Sequence, residues 1–330
     1  MAWLSDIERA PTTVRAYAGD LKTYWEFLAA RGVGWERPSL ELLGEFTAWL
    51  RAPAANVVVL PSGRPRRATA TVNRVLSAVA GFYEYHALNG VEFAGVLSDA
   101  SRSGRGSFKP FLHGIAQAKS RARVGRLPQQ KRRAATLELD QVRAIIAAQQ
   151  RHRDGFLFML LALTGMRVGQ ALGLRHSDFV SHERRIEIVA REDNANGARG
   201  KRGHGSIPVP GELVRCYSDY MHDEYGELDS DYVFVNLWGG QRGRAMSYHN
   251  VYELVLRTRR RVGFEFTAHM LRHTYATLAV RHGVPVEVVS RLLTHRSTQT
   301  TSDIYLHPSV EDLRAVLVKT GALTALAELA

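Results

Sequence analysis

The sequence predicts a mainly α-helical protein with a small β-hairpin or sheet, split into an N-terminal helical domain and a C-terminal α+β domain. Three observations carry this. Apolar residues recur at helical spacing over most of the chain. One region, Arg184 to Pro210, reads as two strands around a Gly/Asn-rich loop. Between the two halves lies a long stretch with no acidic residue. At roughly 150 residues per domain, 330 residues suit two domains. A 45% hydrophobic and 23% charged composition is that of an ordinary globular chain.

The N-terminal elements follow from spacing and punctuation. Val14, Tyr17, Leu21, Tyr24 and Leu28 share one face of a helix over 12–31, which Gly32 closes. Ser39 is placed to cap a second helix carrying Leu40, Leu43, Phe46 and Leu50. A third, over 71–88, turns Val72, Val75, Leu76, Val79, Phe82, Tyr83 and His86 inward and ends at Asn89-Gly90. The expected boundaries are 1–100 for this domain, 101–136 for a basic linker and 137–330 for the second domain.

In the second domain, LELDQVRAIIAA and GFLFMLLAL read as helices. Ile186 and Ile188 mark one strand, SIPVP a second, and DYVFVNL a third. Helices are expected over 247–262, 267–282 and 285–294, then a short piece around Tyr305 and a helical tail from Ser309. That tail carries Leu313, Val316, Leu317, Leu323 and Leu326, more apolar surface than a solvated tail needs, and is expected to dock on a neighbouring protomer.

Charge points to a polyanionic partner. The net charge is +12 and it is segregated. The acid-free stretch holds Arg121, Arg123, Arg126, Lys131, Arg132 and Arg133. Further clusters are Arg199, Lys201, Arg202 with His204, and Arg257 with Arg259, Arg260 and Arg261. Segregated basic runs match double-stranded DNA better than a membrane, because none sits opposite a large apolar helix face. No apolar run approaches the ~18 residues of a membrane span, and the N-terminus lacks the basic and apolar regions of a signal peptide. The single cysteine, Cys216, excludes an intramolecular disulfide and a cysteine-based zinc site. A cytoplasmic protein, associated with the nucleoid, is expected.

Several chemistries are missing. His269 and His273 stand four apart, but Met270 occupies the place of a zincin's glutamate. NANGARGK lacks the first glycine of a P-loop, and no G-x-G-x-x-G follows a strand. No metal or cofactor is expected.

Five segments belong together: ALTGMRVGQALGLR with Arg167, GARGKRGHGSIPV with Lys201, TAHMLRHTYAT with His269 and Arg272, RLLTHRSTQTT with His295, and SDIYLH with Tyr305. In this order and spacing they resemble the tyrosine recombinase (phage integrase) family over essentially the whole second domain. TTVRAYAGDLKTYWEFL and TATVNRVLSAVAGFYEY resemble that family's core-binding domain. Breaking a DNA phosphodiester without metal needs an attached nucleophile, positive charge on the non-bridging oxygens, and a proton donor for the leaving oxygen. Arg167 and Arg272 suit the clamp, since guanidinium grips phosphate in bidentate fashion. His269, three residues before Arg272, shares its helix face and can move a proton or bond the phosphate. The resemblance makes Lys201 the general acid, Tyr305 the nucleophile that forms a 3′-phosphotyrosine, and His295 a phosphate ligand. Arg202 and the linker cations then contact the DNA backbone.

Two positions depart from the family pattern. Gln170 stands where an acidic residue is frequent, which puts the support of Arg167 in question. Thr294 precedes His295 where glycine is usual, so a different local turn is expected. The resemblance further implies a clamp around duplex DNA and a tetramer on two sites. The first helix is expected to start near Thr12, leaving no room ahead of it for an arm-binding domain, so a two-domain, transposon-encoded or Xer-like type is expected. A type IB topoisomerase-like relaxing enzyme and a catalytically inactive DNA-binding relative remain as alternatives.

Overall fold

A computed structural model of the chain describes residues 11–52, 67–91, 127–128, 134–198, 205–239 and 241–294. The chain divides into two compact units, 1–131 and 132–330.

The first unit contains α1 (Pro11–Arg31), α2 (Leu40–Arg51) and α3 (Thr69–Leu88). Ser39 Oγ accepts from Leu42 N at 3.0 Å, so the expected cap forms. Gly32 and Gly90 take φ +64° and +84° just beyond helix ends, a conformation that favours glycine. Tyr24, Phe27, Phe46, Val75, Val79 and Tyr83 form the buried centre. The Tyr83 hydroxyl donates to the Trp35 carbonyl at 2.9 Å and lies 2.8 Å from the Tyr24 hydroxyl, so Tyr24 is the donor in that second bond. Burial pushes the Tyr83 phenol well above its ordinary range.

Asn73 is a buried polar residue of this unit that periodicity does not flag. Its Nδ2 donates to the Leu127 carbonyl at 3.0 Å and its Oδ1 accepts the Leu127 N–H at 2.9 Å. An amide offers both halves of that pairing, a donor and an acceptor, in one side chain. Of the stretch expected as linker, only 127–128 and 134–136 lie within the described residues.

The second unit is built around α5 (His152–Thr164). Phe156, Leu157, Phe158, Leu160 and Leu161 are almost completely buried. A helix apolar on all sides belongs inside a domain, and here α4 (Leu139–Ala147), α7 (Gly211–Tyr220) and α9 (Ala268–Arg281) pack against it. Among the described residues the other α-helices of this unit are α6 (Val168–Leu172), α8 (Tyr248–Val262) and α10 (Val286–Leu292). Helix α7 is not anticipated from the sequence, although Leu213, Tyr217 and Tyr220 share helical spacing. Arg215, Ser218 and Asp219 between them masked the pattern.

The sheet has three antiparallel strands in the order β1 (Phe179–Val180), β2 (Arg185–Ile188), β3 (Gly205–Pro208). Ile186 pairs with both Phe179 and Ile207, and Ile186 and Ile188 are buried, as their alternation predicts. Strand β1 is an addition: two residues carry no period. The strand expected at DYVFVNL does not form. Tyr232 bridges Arg175 and Val235 bridges Ala245, two separate partners that do not join into one ladder. The apolar run there instead reflects burial of Val233, Phe234 and Val235.

The long hairpin tip is anchored further than its Gly/Asn content suggests. Arg191 forms a two-pronged ion pair with the buried Asp178 at 2.6 and 2.7 Å. Asn196 Nδ2 donates to the carbonyls of Leu172 at 2.9 Å and Met246 at 2.8 Å. Its Oδ1 accepts the N–H of Ala198, which is fully buried. The tip is thus fixed to the domain up to Ala198, three residues before Lys201. Asn196→Ala leaves those carbonyls without this donor; the expected loss is about 1–3 kcal/mol of unfolding free energy, read from urea denaturation.

Candidate active site

The carbonyl end of α5 organises the site. Gly165 takes φ +61° and its N–H closes the helix on the Leu161 carbonyl at 3.1 Å. A Cβ on Gly165 would lie 2.5 Å from Tyr275 Cδ1 and 2.8 Å from Leu293 Cδ2, so the position needs glycine for space as well as for φ. Two residues on, Arg167 is extended and opens α6. Gln170, in the first turn of α6, accepts the Arg167 backbone N–H at 2.8 Å. That satisfies a donor that helix geometry leaves without an intrahelical partner.

Helix α9 supplies the next two groups. Thr267 caps it, accepting from Met270 N at 3.3 Å. His269 lies in its first turn, and Arg272 one turn further. Arg272 is 2% exposed. Its Nη1 donates to the Gly165 carbonyl and its Nη2 to the Leu293 carbonyl, both at 2.7 Å. Each bond ties the guanidinium to a helix end, α5 on one side and α10 on the other.

Thr294 completes the cluster. Its φ is +50°, so the left-handed turn usual for glycine is made by threonine, and the different turn expected from the sequence is not found. Its Oγ1 accepts from Arg167 Nη1 at 3.3 Å and from Gln170 Nε2 at 2.9 Å. Arg167 and Arg272 are therefore held by adjacent residues, one through a side chain and one through a backbone carbonyl.

The histidines respond to this charge. Removal from water lowers the His269 pKa below its ordinary value, although the ring keeps an exposed edge, and the Arg272 and Arg167 guanidinium groups lower it further. The His273 ring lies 4.3 Å from that of His269, centre to centre. Burial, then His269, then Arg272 lower its pKa to about 4. Both rings are neutral at pH 7, so His269 is available as a proton acceptor or as a neutral hydrogen-bond donor.

Of the sequence-predicted residues, the structure brings Arg167, His269 and Arg272 together. Lys201, His295, Tyr305, Arg202, Arg121, Arg123, Arg126, Lys131, Arg132 and Arg133 lie outside the described residues. Sequence reasoning missed the supporting roles of Gly165 and of the Leu293 carbonyl. The glycine after an apolar helix was the one available signal; a backbone acceptor leaves none. In the third basic cluster, Arg259 is spent on the Phe266 carbonyl and Glu265, and Arg261 on Ala148 and Gln150. A cavity of about 510 Å³ lined by Arg151, Arg153, Trp238 and Arg257 shares no residue with the arginine–histidine cluster. Among the described residues no group of three or more His, Cys, Asp or Glu is placed to hold a metal, and no helix is long and apolar enough to cross a membrane.

An arginine pair with a neutral histidine is thus gathered at helix ends within the second unit. The model of the phage integrase family matches residues 135–312, and that of the phage integrase N-terminal SAM-like domain matches 3–90. Transposase A from transposon Tn554 of Staphylococcus aureus is 38% identical over 315 residues, covering 94% of this chain and 87% of that protein. Tyrosine recombinase XerA of Thermococcus onnurineus is 31% identical over 195 residues, 58% of this chain and 65% of its own length. A crystal structure of XerH site-specific recombinase on a palindromic difH substrate has the same fold, with TM-score 0.63, 18% identity and 93% and 80% coverage of the two chains. The chain belongs to the phage integrase family, the tyrosine recombinases, which are DNA strand transferases.

The lowered His273 pKa has a consequence for stability. The unfolded chain takes up this proton near pH 6.5, the folded chain near pH 4. Stability contributed by the neutral ring is present above pH 6.5 and is lost as pH falls toward about 4. His273→Asn flattens that decline in a series of melting temperatures across the window.

Proposed function

We propose that the chain is a site-specific DNA recombinase of the transposon-encoded kind, cutting and rejoining strands through a 3′-phosphotyrosine. The observation that carries the reading is the seating of Arg167 and Arg272 on Thr294 and Leu293, immediately before His295, with His269 under the influence of both charges. Full-length similarity to a transposase, and partial similarity to a Xer recombinase, support it over a relaxing enzyme.

In this reading the two guanidinium groups bind the non-bridging oxygens of the scissile phosphate. Their charge offsets what accumulates as the phosphorus becomes five-coordinate. Tyr305 Oη attacks phosphorus and the bond to the 5′ oxygen breaks. Lys201 gives its proton to that leaving oxygen, while His269, neutral at pH 7, accepts or shares the tyrosine proton. His295 bonds a phosphate oxygen. The phosphotyrosine keeps the energy of the broken bond, so a 5′-hydroxyl from a partner strand reseals it without a cofactor. Arg121, Arg123, Arg126, Lys131, Arg132, Arg133 and Arg202 neutralise backbone phosphates of the duplex, and four protomers act on two sites, with the tail over 309–330 bridging neighbours. The protein works in the cytoplasm, where its DNA is.

Covalent capture tests the reading. The protein is incubated with a library of nicked duplexes that includes DNA flanking its own gene, then denatured, and bound DNA is sequenced at the joint. Wild type yields adducts at a preferred site and Tyr305→Phe yields none. Tight DNA binding with no adduct on either would leave a DNA-binding protein in place of an enzyme.

A further inference from the structure

Gln170 and Thr294 both depart from the family pattern, and they are bonded to each other. Gln170 Oε1 accepts the Arg167 backbone N–H, Gln170 Nε2 donates to Thr294 Oγ1, and Thr294 Oγ1 also accepts from Arg167 Nη1. These contacts form a closed ring from the backbone of Arg167 through two side chains to its own guanidinium. We infer that Gln170 and Thr294 act as one positioning pair that sets the Arg167 guanidinium for phosphate, and that residue 294 is threonine for its hydroxyl.

The backbone argues for this. A left-handed conformation is strained for an L-residue, more so when it is β-branched, and glycine adopts it without strain. Thr294 carries φ +50° all the same. Its side chain gives something in return that glycine lacks, an acceptor reached by two donors. Gln170 is 8% exposed, and its amide meets two opposite needs, accepting from a backbone N–H and donating to a hydroxyl. A carboxylate at 170 offers only acceptors and would set a negative charge beside Arg167. The glutamine does the mechanical part of that work with no charge. Threonine and glutamine are thus each suited to the other.

The pair also reaches the second arginine. Leu293, next in the chain, holds Arg272 through its carbonyl. A shift of the turn at 293–294 displaces both guanidinium groups together.

The test rests on the recombinase reading for its rate measurement and includes one readout that does not. Covalent adduct formation is timed for wild type, Thr294→Gly, Thr294→Val and Thr294→Ser, with duplex affinity and melting temperature measured beside it. Thr294→Gly relieves the backbone and should melt at or above wild type with duplex affinity unchanged. Both it and Thr294→Val, which keeps the shape and loses the acceptor, should slow adduct formation by about tenfold or more, as expected for a small misplacement of a reacting group. Thr294→Ser keeps the acceptor and should keep most of the rate. A purely local turn predicts the reverse, and adduct formation by Thr294→Gly or Thr294→Val at the wild-type rate overturns the inference. So does a Thr294→Ser variant as slow as Thr294→Val. If wild type forms no adduct, the recombinase reading is lost, and the pair is judged by melting alone. Gln170→Ala with Thr294→Val should then lower the melting temperature by less than the two single losses added. Full additivity overturns the pair.

Discussion

The Arg272 guanidinium is the interaction on which the site depends. It is a cation with almost no exposure, held by two carbonyls at 2.7 Å. Taking a charge out of water is costly, and the cost is offset only when geometry satisfies its donors. Here the satisfaction comes from helix ends, where carbonyls have no intrahelical partner. One buried cation thereby draws the end of α5 and the end of α10 to the same point on α9. Gly165 permits the approach, since any side chain there would strike Tyr275 and Leu293.

The rest of the cluster follows from that meeting. Arg167 sits two residues beyond Gly165, and Thr294 one residue beyond Leu293, so fixing the two carbonyls brings the Arg167 side chain and the Thr294 hydroxyl within bonding distance. His269 lies on the same helix as Arg272, and loss of hydration together with two nearby positive charges keeps it neutral. On the other side, Asn196 fastens the hairpin tip to Leu172 at the end of α6. The elements bearing Arg167 and the segment leading to Lys201 therefore share a mechanical base.

Much of this was legible in the sequence for physical reasons. Helices α1, α2, α3, α8 and α9 declare themselves through apolar period and caps, and the alternation around Ile186 fixes the hairpin face. The grouping of Arg167, His269 and Arg272 was legible from the resemblance of their motifs, in order, to the tyrosine recombinase family. What escaped has no periodic or compositional trace. Strand β1 is two residues long, and the 231–237 run is apolar through burial and not through pairing. Asn73 and Asn196 look like ordinary polar residues until their carbonyl partners are seen. Thr294 was read from the intrinsic preference of its backbone, and tertiary hydrogen bonds overrode that preference.

Amide hydrogen exchange on wild type and Arg272→Lys tests the central claim directly. Lysine is a point donor on a flexible stem and cannot hold two carbonyls in the fork that guanidinium provides. Protection should fall together at 165–167 and at 292–294, while α1, α2 and α3 keep theirs. Unchanged protection at both segments would contradict the account, since the two helix ends would then be joined by something other than Arg272.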